Sequence, residues 1–181
     1  MSRSLRGRAA AVAIGLLVAL ALPAVAQRTR TVVVVPGQST RVITDTMGTP
    51  YDVPASAGRA FAALAAVYTA LKLEPELRDS AALQVGIPSF YRRETLAGRQ
   101  ISSWLSCGEG MTGPYADYYR ISLSLISTLT PSGNDNSTVR TMLLASAVNI
   151  TEGAREPMPC ESTGRLEIRI HQELLKRLAK P

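Results

Sequence analysis

The chain has 181 residues, with 20 basic and 14 acidic side chains. Its arginines are scattered among the acids, which excludes the clustered basic face of a nucleic-acid binder. Two phenylalanines and one tryptophan leave the core to aliphatic residues and alanine, and two cysteines with one histidine are too few for an ordinary zinc site.

Arg3, Arg6 and Arg8 precede an apolar run over residues 9–22, which Pro23 breaks before the small-x-small sequence Ala24, Val25, Ala26. This is the pattern of a signal peptide, residues 1–26, cleaved before Gln27. The run of 14 residues falls short of the roughly 20 needed to span a bilayer. Gln27, not a cysteine, stands directly after the cleavage point, so no lipid anchor is expected, and the product is expected to be secreted or periplasmic and not transmembrane. Loss of the three leader arginines leaves 17 basic residues against 14 acidic ones. Residues 27–181 are expected to form a single domain, large enough to fold alone.

Residues 31–35 are β-branched and predict a strand, with a turn at Pro36 and Gly37 and a second strand over residues 40–46. Residues 55–73 predict the main helix. Ala60, Phe61, Leu64, Val67, Tyr68 and Leu71 recur at three- and four-residue spacing, while Ala62, Ala63, Ala66 and Ala70 mark the opposite face. A helix so apolar all round is expected to be covered on more than one side.

Glu74 and Pro75 end it, and residues 76–98 show no sustained period, so a long loop is expected over 74–98. Such loops are often functional. This one carries Phe90, Tyr91, Arg92 and Arg93, a group suited to a planar or anionic ligand and equally to rings packed down with charges out. These four are the candidate binding residues.

From Arg99 the chain reads as sheet: a strand over residues 101–107, a long one over 115–130, a polar hairpin loop over 131–137 and a return over 138–150. A loop over 151–159 follows. A last strand over 164–170 is predicted, with Leu166, Ile168 and Ile170 inward and Arg165, Glu167 and Arg169 outward. Leu174, Leu175 and Leu178 mark a short C-terminal helix.

Cys107 and Cys160 both follow the leader. In an oxidising compartment an even pair is most simply a disulfide. A redox centre would call for a C-x-x-C pair, and a thiol nucleophile for a base that only His171 could supply. His171 itself is expected to serve as a cap or at the surface. The loop from Gly133 to Thr138 offers one carboxylate and lacks the spaced ligands of a calcium loop. No nucleophile elbow, phosphate loop, dinucleotide fingerprint or zinc-protease motif occurs.

These elements predict an α+β domain: an antiparallel sheet of about four to six strands, with the main helix and a short C-terminal helix on one face. The element order over roughly residues 50–180 loosely resembles that of helix-grip domains, a likeness of layout that carries no function. The expected function is an exported, soluble, non-enzymatic module that binds a protein or cell-envelope component, without cofactor or metal. The alternative is a small carrier holding an apolar ligand between the main helix and the sheet. A cleft gathering Glu94, Arg99 and Asp117 would instead favour an enzyme.

Overall fold

The computed structural model describes residues 31–34, 41–44, 48–150 and 156–180, with side chains from residue 48 onward. The leader and the turn at 36–39 lie outside them. In chain order the elements are β1 (Thr31–Val34), β2 (Arg41–Thr44), β3 (Pro50–Val53), α1 (Ala57–Ala70), β4 (Leu77–Asp79), β5 (Gln84–Arg92), β6 (Thr95–Leu96), β7 (Arg99–Gln100), a 3-10 turn (Ile101–Ser103), β8 (Leu105–Ser106), β9 (Glu109–Gly110), β10 (Gly113–Pro114), α2 (Tyr115–Tyr118), β11 (Arg120–Pro131), β12 (Ser137–Val148), β13 (Met158–Ser162) and α3 (Arg165–Leu178).

The fold is α+β. Its main sheet has seven strands in the order β4-β5-β11-β12-β13-β8, and β3 also pairs with β12. Every pairing in it is antiparallel. β1 and β2 pair as an antiparallel hairpin, Thr31 opposite Thr44. α1 and α3 pack against each other and on one face of the sheet. A hydrogen bond from Arg59 Nη2 to Leu178 O joins the start of α1 to the end of α3.

The helix–sheet layer is mostly aliphatic. Leu64, Val67 and Tyr68 of α1 and Leu166, Ile170 and Leu174 of α3 are buried against Ile121, Leu123 and Leu125 of β11. α1 stops at a tight reversal. Leu73 N donates to Tyr68 O and Lys72 N to Thr69 O, with Lys72 left-handed at φ 60°. This double bond satisfies the last carbonyls of the helix.

Five expectations need correction. The segment over 74–98 is not a loop: β5 is a long strand of the sheet, between β4 and β11. Its strand character is hidden by Gly86 and Pro88. Pro88 and Ser89 sit at a bulge, both opposite Ser124 alone, between the pairs Phe90–Leu123 and Ile87–Leu125. A bulge is one of the few places where a strand tolerates a residue without an N–H. A Cβ on Gly86 would stand 2.3 Å from Leu125 O, so the backbones there approach as only glycine allows.

The segment predicted as the last strand is the first half of α3. Leu166, Ile170 and Leu174 recur every four residues and are buried, whereas Ile168, which completed the apparent alternation, is 41% exposed. The strand expected over 101–107 is a 3-10 turn followed by the short β8, and residues 115–118 form the helical turn α2 ahead of β11. β13 falls within and beyond the loop predicted over 151–159, of which residues 151–155 lie outside the described ones. The disulfide joins Cys107, just after β8, to Cys160 on β13.

Candidate functional site

β3 and β13 share one edge of β12, end to end. β3 covers Ser137 to Arg140, and β13 covers Ala145 to Ala147. Residues 141–144 have no strand opposite them on that side among the described residues. The interruption opens a cavity of about 500 Å³, whose lining includes Tyr51, Thr141, Leu143, Glu161, Ser162 and Glu167.

Two prolines set which backbone groups face this slot. Pro159 stands opposite Ser146 and Pro50 opposite Arg140, and neither has an N–H to donate. The residues of β12 that bond sideways to β13 and β3 are therefore the odd-numbered ones, and the unbroken pairing of β12 with β11 keeps that alternation through Thr141 and Leu143. Gly48 comes close against Thr141: a Cβ on it would lie 2.4 Å from Thr141 O. Leu143 is left as the residue whose peptide groups face the open slot.

α3 ties both walls in place. At the β13 end, Gly164 N donates to Ser162 Oγ at 3.1 Å, and Ser162 Oγ donates to Glu167 Oε1 at 2.5 Å. Glu167 occupies the first turn of α3, where a negative charge meets the positive end of the helix dipole. One turn later, His171 stacks on Tyr51 of β3 with ring centroids 4.7 Å apart and planes at 19°. His171 Nε2 also lies 3.0 Å from Asp52 O, and because a carbonyl only accepts, this nitrogen carries the proton. His171 is thus a mid-helix clamp on β3, not a cap.

Thr141, which lines the cavity, is tied into the core behind it. Tyr68 Oη, Ser127 Oγ and Thr141 Oγ1 form a buried chain with spacings of 2.9 and 2.7 Å. Burial pushes the Tyr68 hydroxyl well above its ordinary value of 10.0, and the charge of Glu167 adds to this against the lowering effect of the Ser127 bond. A folded value above the unfolded one gives stability that is complete below pH 10 and is lost as the pH climbs past it. Urea midpoints of the native protein are therefore expected to fall above pH 10 more steeply than those of Tyr68→Phe. Parallel curves would show that Tyr68 ionises freely in the fold.

Glu167 is the chemically distinctive group. It is 8% exposed, and its Oε2 is buried without a hydrogen-bond partner. Sequence reasoning set it facing outward on a strand, and only the helical period brings it inward.

The four predicted binding residues do not converge on one face. Alternation along β5 sends Phe90 into the core and Tyr91 to the opposite side, where it is 55% exposed. Arg92 lies 5.0 Å from the Phe90 ring and donates to Tyr91 O, and Arg120 lies 5.3 Å from the Tyr91 ring. Arg93, beyond the strand end, is exposed. Asp117 Oδ1 accepts from Ser102 N at the 3-10 turn, Arg99 lies 5.8 Å from the Trp104 ring, and Glu94 is exposed.

The alanine face of α1 lines a shallow concavity of about 460 Å³, with Ala62, Ala66 and Ala70 beside Arg78 and Arg177. The layer between α1 and the sheet, expected to hold an apolar ligand under the alternative reading, is occupied by Leu64, Val67 and Tyr68, each at most 1% exposed. Among the described residues, no group of three or more His, Cys, Asp or Glu could hold a metal ion, and no helix is long and apolar enough to cross a membrane. No family model, curated protein or solved structure matches the chain.

Proposed function

We propose that this protein is an exported, non-enzymatic module that binds a protein partner in the secreted or periplasmic space, and that it does so by taking a short extended segment into the interrupted edge of β12. The observation that carries this reading is the pairing register of β12, which directs the backbone of Leu143 at a cavity where no strand opposes it among the described residues. Extended peptides gain affinity from main-chain bonds to an open sheet edge and selectivity from the pockets beside it. At roughly 3.3 Å per residue the gap accepts two or three residues of a partner. The Cys107–Cys160 bridge is in keeping with an oxidising compartment.

Amide hydrogen exchange tests the reading. Short valine- and threonine-rich peptides are expected to slow exchange at Leu143 while leaving the turn between β11 and β12 unchanged. Exchange at Leu143 that ignores every such peptide at millimolar concentration would remove the slot from consideration.

A further inference from the structure

We propose that the slot takes the amino-terminal end of an extended polypeptide, with the terminal ammonium group paired to Glu167. This deepens the peptide-binding reading above and rests on it.

Three observations lead to this occupant. The first is the carboxylate. Its Oε1 is engaged by Ser162, while Oε2 is buried without a partner. A buried charged oxygen left unpaired is costly, and a cation brought by a ligand relieves that cost. Among the described residues no group does so. Arg169, two residues on, has its Nη1 bonded to Ala97 O and its guanidinium 5.7 Å from the Trp104 ring.

The second observation is the charge of the lining. Among the described residues that line it, Glu161 and Glu167 are the charged ones and both are acidic, while Arg140 at the rim is bonded to Gly48 O. An anionic ligand is therefore disfavoured, and a cationic one meets complementary charge.

The third is the shape. β3 closes one end of the gap and β13 the other, so a strand running on past β12 in both directions would collide with one of them. A chain end can enter where a continuous strand cannot. The amino terminus is the end that carries a positive charge, and its following N–H and C=O groups are those that pair with a strand edge.

Fluorescence polarisation with a short valine- and threonine-rich peptide, dye-labelled at its carboxyl end, tests the proposal in three forms: free amine, N-acetylated, and N-acetylated with one internal lysine. The free amine is expected to bind the intact protein, and acetylation to weaken binding by about ten-fold or more. Affinity for the free amine should fall as the pH rises through the amine's own pKa near 8. Glu167→Gln keeps the bond with Ser162 and should reduce the free peptide to the level of the acetylated one.

Equal binding of the free and acetylated forms overturns the proposal while leaving the peptide slot intact. Recovery of full affinity by the internal lysine also overturns it, in favour of side-chain recognition. If no form binds, the peptide-binding reading itself fails. The acetylation series is run on the native protein, so the result stands even if Glu167→Gln proves unstable.

Discussion

Replacing Cys107 and Cys160 together with alanine is expected to lower the unfolding free energy by about 4 kcal/mol. The bridge closes a loop across a sequence separation of 53 that contains α2, β11 and β12, so its loss returns a large amount of chain entropy to the unfolded state. The effect also has a local side. β13 is short and lies on the far side of β12 from the sheet centre, held by its pairing to β12, by the bridge, and by bonds from Thr163 to Ser103 O and Trp104 O. Urea unfolding monitored by circular dichroism measures the global loss, and titration of the unreduced native protein should find no free thiol. A double variant within about 1 kcal/mol of the native protein would mean that the unfolded chain is already compact around these residues.

Trp104→Ala is expected to cost about 3–5 kcal/mol, as large-to-small changes at buried aromatic positions do. The indole is 3% exposed. Its Nε1 donates to Leu96 O at 2.8 Å, and the guanidinium groups of Arg99 and Arg169 lie 5.8 and 5.7 Å from the ring. Truncation empties a large volume and leaves the Leu96 carbonyl without its donor. A thermal melt should drop on the order of 10 °C for a domain of this size. Trp104→Phe keeps most of the volume and loses the hydrogen bond, so it should fall between the two. Equal melting of the alanine and native proteins would mean that the neighbouring residues close over the site.

The sequence was most readable where a single period governed a segment. The spacing of Leu64, Val67 and Leu71 fits one helix face, and Ile121, Leu123 and Leu125 alternate with Ser122 and Ser124 ahead of a polar turn closed by Ser132 N and Asn136 O. The pairing of Cys107 with Cys160 follows from there being two cysteines to pair. Reading failed where two periods fitted the same residues. Leu166, Ile168 and Ile170 satisfy a strand, and Leu166, Ile170 and Leu174 satisfy a helix. Packing against α1 decided for the helix, because four-residue spacing leaves only Ile168 outside.

That single misreading also concealed the candidate site. Glu167 faces solvent if the segment is a strand and the interior if it is a helix. The slot itself has no local signature. It exists because two segments more than a hundred residues apart, β3 and β13, dock on the same strand and stop short of each other. The one available hint was Pro50 and Pro159, two residues that cannot donate to a ladder and so suit edges better than centres.

The sheet's margins bear on how the protein behaves when concentrated. β4 is three residues long, β8 is two, and the uncovered run on β12 spans residues 141–144. Unprotected strand edges are the usual template for fibres and disordered aggregates, and brevity is a recognised defence. At each of these three places a second molecule finds only a short stretch of ladder. The proposed docking slot is thus itself too short to seed a continued sheet.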